Sequence, residues 1–167
     1  MHDKHFFDML EVGLEYQDFV MTLFYEMGLS IHPYSSRSEQ YKKGENKAGI
    51  EIKHDRNFRK TGNLYIEIAE KSHASNVSFV SSGIYRNDNS WLYVIGDYDE
   101  AFIFGKNVLK SLHVEGRYRV HVGDTSKGML LPVEYVRKND IALRILTPKK
   151  EEECLLLGTT SSEQKKD

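Results

Sequence analysis

Apolar and polar positions change period several times along this chain, and each period predicts an element. From about Phe6 to Met27 the pattern is helical. Phe6, Leu10, Val20 and Phe24 fall near one side at about 100° per residue, while Asp8, Glu11, Glu15, Asp18 and Thr22 gather near the other. Gly28 follows as a helix stop. Leu29 to Tyr34 predicts a short strand, and the polar stretch Ser35 to Lys47 a loop. The period then drops to two, the mark of a half-buried strand, in Gly49-Ile50-Glu51-Ile52-Lys53 and again from Asn63 to Lys71. Alternate side chains of a strand leave on opposite faces, so Glu51 and Lys53 share a face opposite Ile50 and Ile52. Likewise Tyr65, Glu67 and Ala69 oppose Leu64, Ile66 and Ile68. The basic connector ending in Thr61-Gly62-Asn63 is too long for a two-residue hairpin.

The second half continues in shorter pieces. Val77 to Ile84 predicts a strand interrupted at Ser81-Ser82-Gly83. Trp91 to Ile95 is almost uniformly apolar, as in a strand covered on both faces. Gly96 to Glu100 turns the chain into a further strand, Ala101 to Phe104, and Lys106 to His113 fits a short helix. Arg117 to Val122 alternates again, Gly123 to Gly128 has loop composition, and Met129 to Pro132 and Ile141 to Leu146 are weaker strand candidates. From Pro148 the chain is charged, then Gly/Ser/Thr-rich, which predicts a frayed tail in which Leu155 to Leu157 could still dock. There is no internal repeat. Helix, central strands and helix in this order predict an α/β or α+β domain over residues 1–147, with 148–167 as the tail.

Composition narrows the setting. At 167 residues one domain with a real core is expected. A single cysteine, Cys154, excludes an internal disulfide framework and suits a reducing compartment. No basic leader precedes an apolar run, and no stretch approaches the roughly 20 apolar residues of a membrane span. A cytoplasmic protein is the expectation. The net charge of −2 does not advertise a nucleic-acid binder, but charge is unevenly spread. Between Lys42 and Lys60 stand Lys42, Lys43, Lys47, Lys53, Arg56, Arg59 and Lys60 against Glu45, Glu51 and Asp55, interleaved with Tyr41, His54 and Phe58. Such a cluster supplies phosphate contacts or forms a solvated basic loop.

The acidic strand positions add chemistry. If the two alternating strands pair in register, Glu51 and Glu67 converge on one surface with a lysine beside them. Two carboxylates at one point repel unless a cation neutralises them, which points to a divalent metal, the alternative being two solvated acidic faces. Other chemistries find less support. The seven histidines show no paired spacing for zinc, and Cys154 offers no second soft ligand. Neither a phosphate-cradling Gly-x-x-x-x-Gly-Lys-Ser/Thr loop nor a Gly-x-Ser-x-Gly elbow is present.

The run Gly62-Asn63-Leu64-Tyr65-Ile66-Glu67, then Ser82-Gly83-Ile84, then Trp91-Leu92-Tyr93-Val94, resembles phage and bacterial members of the PD-(D/E)xK nuclease superfamily over roughly residues 7 to 132. The resemblance implies a restriction-endonuclease-like core, a mixed sheet flanked by helices. It implies Mg²⁺- or Mn²⁺-dependent hydrolysis of DNA phosphodiesters, with Glu51 and Glu67 as metal ligands and Glu15 as an accessory acid on the helix. The family lysine is expected two places after Glu67, where Ala69 stands; Lys71 or Lys53 would replace it, and Glu70 could join through a bulge. In a second register Glu51-Ile52-Lys53 is itself the Glu-x-Lys strand, with Glu39 or Glu45 upstream. Lys42, Lys43, Lys47, Arg56, Arg59 and Lys60 would contact DNA. A homodimer is compatible with this reading; a membrane partner is not. The competing readings are a catalytically inactive nuclease-fold module that binds nucleic acid or a protein, and a small interaction domain without a nucleic-acid partner.

Overall fold

The computed structural model describes residues 2–148, with side chains from Gly13 onward except Arg37 and Tyr41. The expected C-terminal tail, with Cys154 and Leu155 to Leu157, lies outside the described residues.

Among the described residues, eight strands and five helices form an α+β arrangement in layers. α1 (His2–Glu26) runs first, then α2 (Arg37–Lys43). The first sheet has the order β1 (Ile50–His54), β4 (Leu92–Gly96), β5 (Ala101–Gly105), β8 (Arg144–Leu146). In it β1 and β4 are parallel and the other pairs antiparallel. The second sheet has the order β3 (Val80–Ser81), β2 (Asn63–Glu70), β7 (Ser126–Pro132), β6 (Val120–Val122), all antiparallel. α3 (Phe58–Thr61) links β1 to β2, α4 (Lys106–Val114) follows β5, and α5 (Val133–Lys138) follows β7.

The pairing expected between the two alternating strands does not occur. β1 pairs with β4, whereas β2 pairs with β3 and β7 in the other sheet. The connector explains the separation. Phe58 is buried and packs edge-on against Phe102 at 5.7 Å, so α3 carries the chain from one sheet to the other. Asp55 secures both ends of this crossover. One carboxylate oxygen accepts from the Asn57 amide and the other from the Tyr65 amide at the start of β2.

Parity within β4 and β5 divides the core in two. Leu92, Val94, Ala101 and Ile103 pack with Ile50, Ile52 and the α1 residues Tyr16, Val20, Leu23 and Phe24. Tyr93, Ile95, Phe102 and Phe104 pack with Leu64, Ile66, Met129 and Leu131 of the second sheet and with Leu109 and Leu112 of α4. Every residue of β4 is buried, as its unbroken apolar run predicts.

Several local expectations need correction. Leu29 to Tyr34 forms no strand; only Pro33 bridges Asn46. The stretch expected as loop, Ser35 to Lys47, contains α2, which Ser36 caps by accepting from the Glu39 amide. Of the strand expected over Val77 to Ile84 only β3 is extended, and Gly83–Tyr85 forms a short 3-10 turn. No helix among the described residues is long and apolar enough to cross a membrane.

Candidate functional site

Although β1 and β2 lie in different sheets, Lys53 of β1 pairs with Glu51 and lines one cleft with Glu67 of β2. The Lys53 ammonium sits in the field of Glu51, Glu45 and Glu67. Burial alone would push its pKa down, but the three carboxylates outweigh burial and hold it above the ordinary lysine value. Lys53 is 3.3 Å from Glu51 Oε1. Lys53 also lines a cleft of about 450 Å³ together with Asp55, Arg56, Asn57, Glu67 and Tyr93. On its other side it borders a smaller cleft of about 240 Å³ with Glu45, Gln17 and Gly13, and His54 and Arg56 line both clefts.

Glu51 is the least ordinary member. Its side chain is 2 % exposed, and neither carboxylate oxygen has a hydrogen-bond partner. Its compensation is charge alone. Lys53 stands at Oε1, and Lys106, from the first turn of α4, stands 3.3 Å from Oε2. Lys106 is equally buried, and its donors go elsewhere: to Asp88 Oδ1 at 3.3 Å, to the Ser90 hydroxyl and to the Arg86 carbonyl. Arg86 in turn pairs with Asp88 at 3.3 Å. Burial would raise the Asp88 carboxyl, but the Ser90 hydroxyl and amide, with Lys106, hold it below its usual value. A line of alternating charges therefore runs from Arg86 through Asp88, Lys106 and Glu51 to Lys53.

Glu67 is fixed differently. The Ser82 hydroxyl donates to Oε1 at 2.5 Å, and the Ser82 amide donates to the Ile68 carbonyl. Gly83 follows at φ +52°, and a Cβ there would lie 2.2 Å from the Glu67 carbonyl oxygen. Only glycine lets the turn approach this strand so closely, which gives the Ser82-Gly83-Ile84 sequence a structural meaning. β2 bulges between Glu67 and Ala69. Tyr93 closes the cleft floor. Its hydroxyl is buried near the Glu67 main chain without completing a hydrogen bond, and burial, then Glu51 and Glu67, push its pKa well up.

Glu45 covers the open edge of β1, accepting from the Ile52 amide at 2.8 Å, while the neighbouring Asn46 both donates to the Ile50 carbonyl and accepts from its amide. This is how the free edge of a sheet is satisfied. Burial raises the Glu45 carboxyl to about 7, against the opposing pull of Lys53.

The remaining expected site residues lie apart. Lys71 donates to the Ala74 carbonyl and lies 4.6 Å over the Phe79 ring, because the chain leaves β2 just before it. Glu70 stays exposed despite the bulge. Glu15 is exposed on α1, which presents Gly13 and Gln17 to the smaller cleft instead. Glu39 pairs with Lys43 on the surface of α2. Arg59 is held by Asp97 at 2.5 Å and lies 3.8 Å from Asp99. Arg56 reaches both clefts, while Lys42, Lys47 and Lys60 are exposed with no ion pair among the described residues. Sequence pattern alone missed Asp55, Tyr93 and Lys106. Asp55 was legible only as one charge in the basic segment, and Lys106 only as the start of a helix.

Hard oxygen donors suit Mg²⁺ or Mn²⁺. Among the described residues no group of three or more His, Cys, Asp or Glu side chains is arranged to hold a metal. Mg²⁺, however, is commonly held by one or two carboxylates, with waters and substrate phosphate completing its shell. Glu51 brings two oxygens that accept no hydrogen bond but face Lys53 and Lys106, and Glu67 has one oxygen engaged by Ser82. Oxygen donors of this kind suit such an ion, which at Glu51 would take the place of an ammonium group. No protein-family model, no curated protein and no solved structure matches this chain.

Proposed function

We propose that this chain is a nuclease with a restriction-endonuclease-like core that hydrolyses DNA phosphodiesters with the help of Mg²⁺ or Mn²⁺. One observation carries the reading: Lys53, paired with Glu51 of the first sheet at 3.3 Å, lines one cleft with Glu67 of the second, beside Arg56 and Asn57. Glu51 and Glu67 would hold the metal. When bound, such an ion lowers the pKa of a coordinated water and neutralises charge on the phosphate. The protein's own groups do the rest. Lys53 offers its ammonium to a non-bridging phosphate oxygen, where charge develops as the bond to the leaving oxygen breaks. Ser82 keeps Glu67 in one rotamer, and Asp55 fixes the end of β1 against β2 and hence the spacing of Lys53 and Glu67. Arg56 holds a neighbouring phosphate, and the exposed Lys42, Lys47 and Lys60 add long-range attraction.

The test is incubation with supercoiled, linear and branched DNA in Mg²⁺ or Mn²⁺, beside Glu67→Ala and EDTA controls. Cleavage abolished in both controls is the expected result. Cleavage that survives Glu67→Ala would remove Glu67 from the site. DNA bound but never cleaved would replace the nuclease with an inactive nuclease-fold binding module.

A further inference from the structure

Glu51 is flanked by two ammonium groups of very different character, and the difference has a use. Lys106 is 3 % exposed and its three N–H donors are taken by Asp88, Ser90 and the Arg86 carbonyl. Its donors are thus all engaged away from the clefts. Lys53 is 33 % exposed, pairs with Glu51, and lines two clefts, one with Glu67 and one with Glu45. A buried carboxylate stripped of its only cation is strongly unfavourable. If Lys53 alone served Glu51, any movement of Lys53 toward a ligand would strand that charge.

We propose that Lys106 is the resident counter-ion of Glu51 and a positioning residue for the site, while Lys53 is the exchangeable one. The inference rests on the nuclease reading for its purpose, though not for its physics. At rest Lys53 occupies Glu51 Oε1. Glu51 and Glu67 would hold a divalent ion, and Lys53, released from Glu51, would then meet the phosphate in the cleft it already lines. Lys106 stays, so Glu51 keeps a charge partner throughout and does not shift.

The experiment follows the lysine ammonium groups of the full chain by ¹H–¹⁵N spectroscopy, with Lys53→Met and Lys106→Met assigning the two signals. In the wild type without metal, the Lys53 ammonium should exchange protons with solvent about tenfold faster than Lys106, in keeping with their exposure. In Lys106→Met, Lys53 becomes the sole partner of Glu51 and its exchange should slow severalfold; Lys106→Arg should restore the wild-type rate. Equal exchange of the two lysines, or no change at Lys53 in Lys106→Met, overturns the proposal. Should Lys106→Met not fold, the Glu51→Gln/Lys106→Met pair replaces it. Lys53, deprived of its partner, should then exchange faster than in the wild type, and an unchanged rate overturns the proposal equally.

Adding Mg²⁺ alone should displace the Lys53 signal and leave that of Lys106 in place; movement of Lys106 instead is a further refutation. If Mg²⁺ moves neither, the metal-dependent nuclease reading fails, and the exchange comparison still decides the roles of the two lysines. For the active protein, Lys106→Met should lower kcat about tenfold or more with KM nearly unchanged, because it disturbs the site and not the surface that binds DNA.

Discussion

Replacing Glu45 with Gln should flatten the pH dependence of stability, and the structure fixes both sign and window. The native carboxyl titrates near 7 because burial disfavours its charged form, against an ordinary value of 4.5. Between these values the folded chain retains a proton that the unfolded chain releases. Stability from this group is therefore fully present below about pH 4.5 and is lost as pH rises through 7. At about 1.4 kcal/mol per pH unit the ceiling is roughly 3 kcal/mol, and the partial exposure of Glu45 brings this to about 1–2 kcal/mol. Gln keeps an oxygen for the Ile52 amide but has no proton to lose. His54 works in the opposite sense. Burial, then Arg56, depresses its pKa below 6.5, so its contribution is lost as pH falls through that range. It is common to both proteins and cancels in their difference. Urea denaturation at one-unit steps from pH 4 to 9 would measure this. The two proteins should be equally stable at pH 4, and Glu45→Gln should be about 1–2 kcal/mol more stable at pH 8. Parallel curves, or a variant weaker at pH 8, would refute the burial of this carboxyl.

Two further predictions probe the cleft and its rim. Gly83→Ala should cost about 2–4 kcal/mol in urea denaturation, since its methyl group would meet the Glu67 carbonyl at 2.2 Å in a left-handed backbone; a loss below about 1 kcal/mol would mean that the turn stands off from β2. Changing Lys42, Lys47, Arg56 and Lys60 together to Gln should weaken duplex DNA binding and lower the slope of log K against log salt by about 0.9 for every phosphate the protein no longer neutralises. An unchanged slope, read by fluorescence anisotropy in EDTA, would place the DNA elsewhere.

Much of the fold was legible where one strong pattern sufficed. Of the apolar run from Trp91 to Ile95, Leu92 to Ile95 form a strand covered by α1 on one face and the second sheet on the other, while Trp91 stands outside the strand and is exposed. The alternation at Ile50–Lys53 and Leu64–Ala69 foretold two strands that bury Ile50 and Ile52 in one case and Leu64 and Ile66 in the other, but not that Glu51 on the opposite face of β1 is buried as well. Their partners were not legible, because alternation specifies a face and says nothing of the neighbour. Phe58 and Asp55 decide that, through contacts with Phe102 and the Tyr65 amide. The expected convergence of Glu51 and Glu67 rested on a pairing that does not exist; in the structure Lys53, Tyr93 and Glu67 line one cleft between the two sheets, and Glu51 lies 3.3 Å from Lys53. Lys106 was invisible for a related reason. At the start of a short amphipathic helix a lysine reads as surface, and only the tertiary approach of β1 and the Arg86–Ser90 turn makes it buried.

The cation that a buried acid demands is supplied here by ammonium groups, and that arrangement carries an energetic signature. Taking Glu51 and Lys106 out of water is expensive, and their attraction across 3.3 Å without a hydrogen bond to Glu51 recovers only part of the cost. A purely structural pair at this position is therefore replaceable. Glu51→Leu/Lys106→Met should fold with stability equal to the wild type or up to about 2 kcal/mol above it, since Asp88 keeps Arg86 and the Ser90 amide. Lys106→Met alone should lose about 3–5 kcal/mol by leaving Glu51 without its fixed partner. Urea titrations of the wild type, both single variants and the double variant form a complete cycle. A double variant that loses as much as the single ones would show that the pair serves the fold. A stable double variant with no activity on DNA would assign the cost of these buried charges to the work of the site.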